Sequence, residues 1–459
     1  MIDIDSILHK YQTSYYNLPS GVKNFMGTLY GNIPLGIRFG KSYSIHNKIL
    51  RNFLEGDSQY QLDFQYNKTV ETIQFASDHI PYYQNLFNQY EFNVSDFKDF
   101  SDLDKLPMLT KDIIQNNLNN LYTDTVDKAV QYFTGGSSAT PMKMYAPLSV
   151  SRSKEKIYFN YTLKKGGHCY RDKAVSLSAR GSAREEDNIY WEYQKVDNYL
   201  LVSVNHLAIG YIGKIVEEIR RWKPKTFYGF PSAISLFISS CRTIGIDKIE
   251  GISGVVLTSE SVSWEDINTI KSFFNTTVIS HYGHTERIVS AYREDRGDYK
   301  FFNSYGLVQN IDNEIIGTSF DNFVMPYINY STNDYMGEVT YYEKTNIIKS
   351  TTSIQGRIQE SVVTKENIVI PILSIGAGHF AEYEGVEKAQ FYQDTPGKVT
   401  LRIQRRLDAV IDKKRIIKKM EDQVQGKINF SIEFIDNIEN TVRKKRILCI
   451  QKLDINKYR

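Results

Sequence analysis

Residues 132–141 read Tyr-Phe-Thr-Gly-Gly-Ser-Ser-Ala-Thr-Pro, a run of small and hydroxyl-bearing residues between two apolar segments. Adjacent glycines at Gly135 and Gly136 let a backbone approach a ligand closely and adopt positive φ. Successive N–H groups, joined by the hydroxyls of Thr134, Ser137 and Ser138, form a concave anion site suited to a nucleotide phosphate. Read alone, such a run is more often an ordinary turn. It is not the usual P-loop, because no Gly-Lys-Ser/Thr follows it.

Three later segments offer partners for this loop: His281–Glu286 (HYGHTE) after an apolar run, Tyr330–Asp334 (YSTND) after Met325–Pro326, and Gly356–Arg357 with Glu360 three residues on. In this order the segments resemble the signatures of the adenylate-forming enzymes, the acyl-CoA synthetase superfamily, written TSG[ST]TGxP, YGxTE, Yx[TS]GD and GRxxD. Further segments narrow the resemblance: Phe75–Phe87, Leu106–Asp112 (LPMLTKD), Tyr228–Ala233 (YGFPSA), Gln390–Gln393 (QFYQ), Leu18–Pro19 and Arg38–Gly40. Together they are similar to the phenylacetate–CoA ligase branch and, within it, to the CapK-like subgroup associated with capsular polysaccharide. The similarity spans nearly the whole chain.

A chain of 459 residues exceeds one compact core and implies two or three domains. The net charge of +3 is small for this length, so nucleic acid is not an expected partner. Cys169, Cys241 and Cys449 lack CxxC spacing, which argues against a disulfide framework and a cysteine zinc site. No apolar run approaches the ~18 residues of a membrane span, and the opening residues lack a signal-peptide pattern. A reducing cytoplasm is the expected setting. Phe25–Ile37 is mildly apolar; it invites a weak membrane contact, but a buried helix or loop is the simpler expectation.

Residues 1–125 read mostly helical, and residues 126–355 alternate short strands with helices as parallel βαβ units do. Expected strands are Ala174–Ser178, Gly254–Leu257 and Thr276–Ser280. Pro231 opens an expected helix through Cys241, since proline suits a first helical turn. Ser263–Asp266 has the pattern of a capping box. Beyond residue 356, strands Lys398–Ile403 and Asn429–Phe434 flank a basic helix around Lys413–Val424. The expected architecture is thus α/β: a large N-terminal domain over 1–355 and a small α+β domain over 356–459; the resemblance implies that the first is an adenylation domain and the second is mobile.

The resemblance implies ATP-dependent activation of a small-molecule carboxylic acid, with Mg²⁺, followed by acyl transfer to CoA or to an amine or hydroxyl acceptor such as an amino sugar. It places Thr134–Ser138 on phosphates, Thr285 on the α-phosphate, Glu286 on the metal, and Tyr282 and Gly283 beside adenine. Asp334 falls to the ribose hydroxyls, Arg357 to the ribose–phosphate region and Glu360 to the hinge. Lys445 aligns with the adenylation lysine, with Lys444 as its rival. Tyr228, Phe230, Ser259 and Glu260 are guesses for the acid pocket. Read without the resemblance, Glu286 is a surface carboxylate or salt-bridge partner, Asp334 a turn former, and the basic run Arg443–Arg446 a solvated strand edge. His281 and His284 read as structural. Ala139, Asn333 and Lys444 depart from the family pattern, and motivate an alternative: a degenerate member that binds nucleotide or acyl ligand, or a scaffold in glycan assembly.

Overall fold

The computed structural model describes residues 11, 14–15, 18–133, 142–178, 187–207, 209–260, 262, 264–343, 345–355, 361–375, 386–405, 410–424, 426–436, 438 and 449–458. Thr134, Gly135, Gly136, Ser137, Ser138, Ser263, Arg357, Glu360, Lys444 and Lys445 lie outside these residues.

Helices dominate the first part: α1 (Ser20–Asn32), α2 (Gly40–Glu55), α3 (Ser58–His79), α4 (Pro81–Gln89) and α5 (Lys111–Asn117). Asp57 caps α3 by accepting from the Tyr60 N–H, and Pro81 at the start of α4 breaks the run at Ile80. This break sets Tyr83 against the later chain, where its hydroxyl donates to Pro326 O at 3.2 Å and accepts from Ile328 N–H at 3.0 Å. One expectation fails here. Instead of being buried, Phe25, Met26 and Leu29 of α1 face solvent, while Gly27 and Gly31 face the protein.

Strands β1 (Val130–Phe133) and β2 (Lys143–Ala146) pair antiparallel and bracket residues 134–141. After α6 (Glu155–Lys165) comes the main sheet, from β3 (Ala174–Ser178), β4 (Trp191–Gln194) and β5 (Tyr199–Ser203), through α7 (Ile209–Trp222), to β6 (Thr226–Gly229). Helix α8 (Pro231–Thr243), β7 (Gly254–Thr258), α9 (Trp264–Phe274) and β8 (Thr277–Gly283) follow. Strands β5, β3, β6, β7 and β8 lie parallel in that order, with Val175, Phe227, Val255 and Val278 in mutual register. All four are buried, as both faces of such a sheet require. Ile234, Phe237, Ile238 and Cys241 form the buried stripe of α8 at helical spacing. Full burial of each large apolar side chain there stabilises the fold by about 1.5–3 kcal/mol. The strands expected near 174, 254 and 276, and the helix from Pro231, are all present.

Antiparallel β9 (Ser290–Glu294) and β10 (Tyr299–Phe301) extend the sheet beyond β8. A second antiparallel sheet contains β11 (Gly306–Ile311), β12 (Glu314–Ser319) and β13 (Tyr330–Met336). Gly306 is obligatory: a Cβ there would sit 2.1 Å from Ile288 O.

The chain then forms a small α+β domain. Its strands β14 (Val386–Thr395) and β15 (Lys398–Arg405) form an antiparallel hairpin. Helix α10 (Lys413–Gln423), β16 (Asn429–Phe434) and β17 (Cys449–Gln451) complete it, with each outer strand parallel to its neighbour. Phe391, Leu401, Ile403, Ile416 and Met420 fill its core. Gln393 explains part of the QFYQ segment: its amide accepts from Val363 N–H and donates to Val363 O, both at 2.7 Å. Among the described residues, no helix is long and apolar enough to cross a membrane.

Candidate active site

The site forms at the carboxyl end of β8, where ligands gather in open α/β sheets. The chain leaves β8 at Gly283 and turns at once, the Arg287 N–H donating to His284 O at 3.0 Å. Arg287 holds positive φ (59°), so Thr285 and Glu286 occupy the bend.

Glu286 is held from two sides. The Tyr330 hydroxyl of β13 donates to its Oε1 at 2.9 Å, and His284 Nδ1 lies 3.3 Å from its Oε2. The Val289 N–H donates to His284 Nε2 at 3.3 Å, which turns Nδ1 towards the carboxylate. Burial works to raise the Glu286 carboxyl. His284, a backbone N–H and the Lys111 ammonium outweigh it and pull the carboxyl down to about 2. The carboxylate is therefore ionised at neutral pH, although its side chain is only 12% exposed.

Asp334 sits across the same space. The Tyr282 hydroxyl donates to its Oδ2 at 2.8 Å, joining β8 to β13. Burial and the Asp334 charge push the Tyr282 phenol well above its ordinary value, so it remains a donor. Asn333 adopts the left-handed conformation (φ 58°) in an irregular stretch of the β12–β13 pairing. Its N–H donates to Glu314 Oε1 at 2.8 Å, and the Asp334 N–H donates to Thr332 Oγ1 at 3.1 Å. Asn is among the few non-glycine side chains that tolerate this backbone.

Two more segments converge here. Strand β1 reaches the turn through Tyr132, whose ring lies 5.3 Å from the Arg287 guanidinium. Arg287 also donates to Ser151 O at 2.6 Å. The LPMLTKD segment docks on the start of β13: Leu109 N–H donates to Asn329 O at 2.9 Å, and Ser331 N–H to Leu109 O at 3.0 Å. Thr110 then caps α5, which starts at Lys111.

The suggested pocket residues end or follow the neighbouring strands β6 and β7. Tyr228 at the end of β6 packs edge-on against Phe159 at 5.2 Å, and Phe230 is the N-cap residue of α8. Glu260 accepts from Ser232 N–H at 2.9 Å and from the Ser232 hydroxyl at 2.8 Å, so it stabilises the start of α8. Ser259 holds positive φ (66°) beside it. His281 is pushed down to about 4 by burial and contacts Thr162 at 3.4 Å, a neutral packing residue. Sequence reasoning missed the roles of Tyr330, His284 and Lys111 in holding Glu286.

Compared with known proteins, the chain matches no family model. It is 24% identical to Protein CapK of Staphylococcus aureus over 463 residues, covering 96% of this chain and 99% of that one. Among solved structures it is similar to a 2-hydroxyisobutyryl-CoA ligase in complex with 2-HIB-AMP and CoA in the thioesterification state. That likeness has a TM-score of 0.53 at 12% identity, covering 87% of this chain and 91% of that chain. The same ligase in its postadenylation state, with R3-HIB-AMP, gives a TM-score of 0.50 at 13% identity over the same shares. The chain is thus similar to Protein CapK over nearly its whole length and has the fold of the adenylate-forming ligases. It has both parts of that fold, a large α/β domain and a small carboxy-terminal one. Its Tyr282–Glu286 turn and Asp334 stand together across two sheets.

Proposed function

We propose that this chain is an adenylate-forming ligase acting on a small carboxylic acid. The substrate carboxylate oxygen bonds to the α-phosphorus of ATP, the bond to the bridging oxygen breaks, and pyrophosphate leaves. The acyl group of the resulting adenylate then passes to CoA or to an amine or hydroxyl acceptor. The observation that carries this reading is the juxtaposition of Glu286 and Asp334, linked to neighbouring strands through Tyr330 and Tyr282.

Each chain residue has a defined task. Asp334 accepts from ribose hydroxyls, with Tyr282 fixing its carboxylate and lying beside the base. Thr285, in the bend, donates its hydroxyl to the α-phosphate. Thr134–Ser138 supply N–H and hydroxyl donors to the remaining phosphates, and Arg357 supplies a rigid cationic fork. Glu286 suits Mg²⁺: it is an ionised carboxylate, and this metal commonly takes one or two carboxylates along with water and phosphate oxygens. Bound there, Mg²⁺ would offset phosphate charge. Catalysis then rests on positioning and charge stabilisation.

CoA as acceptor is supported by the ligase solved with CoA, and a surface-polysaccharide setting with an amino-sugar acceptor by the likeness to CapK. The small domain would swing about Gln355–Glu360 and deliver Lys445 for adenylation. Lys445→Ala should then lower adenylation about 10²–10³-fold while sparing transfer from a supplied acyl-adenylate. If Lys444→Ala alone has this effect, the alignment is one residue out.

The test of the reading is hydroxylamine trapping over a library of carboxylic acids. Hydroxamate formation that needs ATP and one class of acid supports it. ATP binding with no hydroxamate from any acid favours a non-catalytic nucleotide-binding member.

A further inference from the structure

Helix α1 is amphipathic the wrong way round for a globular protein. Val22, Phe25, Met26 and Leu29 share one side at 3.6 residues per turn, and they are 46%, 66%, 45% and 57% exposed. The opposite side is fastened by glycines. A Cβ on Gly31 would sit 2.6 Å from Val196 O, and one on Gly27 would sit 3.3 Å from Lys195 Cβ. The Tyr170 hydroxyl donates to Gly31 O at 2.7 Å and to Ile33 O at 3.0 Å, closing the end of the helix onto the body. The apolar side therefore cannot roll inward without losing this close seat.

Charge indicates what covers it. Residues 6–54 contain Lys10, Lys23, Arg38, Lys41, Lys48 and Arg51 and no Asp or Glu, in a chain whose net charge is only +3. Lys23 is paired with Glu192, and Arg38 is buried over the Tyr30 ring. Lys41, Lys48 and Arg51 are exposed on α2, alongside Ile45 and Leu54, with Glu55 the first acid at its end. Exposed Ile37 lies in the connection between the two helices.

We infer that the outward side of α1 and the basic side of α2 dock this chain on an anionic lipid bilayer. Phe25, Met26 and Leu29 enter the headgroup boundary, as apolar residues of interfacial helices do, while the α2 cations meet the negative surface potential. The chain rests on the membrane without spanning it.

Co-sedimentation with vesicles of neutral phosphatidylcholine, alone or mixed with anionic phosphatidylglycerol, tests this at low and physiological salt. Wild type should pellet with the anionic vesicles and less so as salt rises. Phe25→Ser/Leu29→Ser should weaken that binding roughly tenfold or more, because two bulky apolar groups no longer leave water. Lys41→Glu/Lys48→Glu should weaken it roughly tenfold and flatten the salt dependence. All four positions are exposed or solvent-facing, so circular dichroism melts should match wild type. Failure to bind anionic vesicles at low salt overturns the proposal, as does equal binding by wild type and both variants. If instead wild type dimerises and Phe25→Ser/Leu29→Ser abolishes the dimer without any vesicle binding, the face belongs to a second copy of the chain, and the membrane proposal fails.

Discussion

Glu286 and Asp321 are both largely buried carboxylates, and both are held ionised, but Asp321 by ammonium groups in direct contact and Glu286 mainly by hydrogen bonds. Asp321 is paired with two cations, Lys154 at 3.0 Å and Lys68 at 2.8 Å, and has the neutral imidazole of His46 at 3.9 Å. Lys154 is 0% exposed and also donates to Tyr305 O and Phe320 O, so its ammonium is fully paired, and the cluster ties α2, α3 and the segment before α6 to the chain after β12. Burial would raise Asp321, but Lys154 and Lys68 hold it well below the ordinary aspartate range. Glu286 has a phenol and an imidazole as its near partners, with Lys111 acting on it electrostatically. One carboxylate neutralises protein charge; the other presents negative charge at a strand end, beside a second carboxylate, Asp334. The lesson is that ionisation in a buried place does not by itself mark a functional group; whether the carboxylate is already bonded to ammonium groups separates the two.

The comparison breaks most sharply at Asp321. Asp321→Ala strands the Lys154 ammonium in the interior and should cost about 3–5 kcal/mol in urea unfolding. A loss below about 1 kcal/mol would mean that the cluster contributes little to the fold. At the other carboxylate pair the effect should fall on ligand affinity. Asp334→Ala removes a charge-assisted acceptor and should weaken ATP binding by about 1.5–3 kcal/mol, with a smaller loss in unfolding, about 1 kcal/mol, from the Tyr282 hydroxyl it leaves without its carboxylate. Identical ATP affinity by calorimetry would exclude Asp334 as the ribose acceptor.

The smallest effect concerns pH. Burial, reinforced by Lys154, lowers His46 from 6.5 to about 4. The folded state keeps His46 neutral while the unfolded chain protonates it, so its contribution is present above pH 6.5 and is lost as pH falls towards 4. His46→Gln should therefore flatten the fall in stability between pH 7 and 5 by about 1–2 kcal/mol. His281, also near 4, keeps part of the slope in both proteins. An unchanged slope would mean that His46 is already charged in the native state.

Much of this architecture is legible from local pattern. The apolar runs at 174, 254 and 276 are buried on both faces, and Pro231 starts a helix because its ring suits a first turn. The motifs HYGHTE and YSTND point to the site because their residues are consecutive. What holds them is less legible, because it is long-range. Tyr330 lies 44 positions from Glu286, and Lys111 acts on Glu286 from another segment altogether. The bond from the Ser232 N–H to Glu260 is likewise long-range, 28 positions apart, and local pattern does not show it. The reversed helix α1 escaped for a related reason. Apolar spacing says that a helix has an apolar side but not which side packs, and here Gly27 and Gly31 decide it.

The most direct test of the central claim is acid-dependent ATP–pyrophosphate exchange, comparing wild type with Glu286→Gln on equal amounts of folded protein. The substitution keeps size and an acceptor while removing the charge. The account predicts exchange with wild type and one class of carboxylic acid, a fall of about 10²-fold or more in Glu286→Gln, and stability within about 1 kcal/mol of wild type. Equal exchange in the two proteins, or a large loss of stability with exchange per folded molecule intact, would make Glu286 a structural carboxylate like Asp321 and contradict the account.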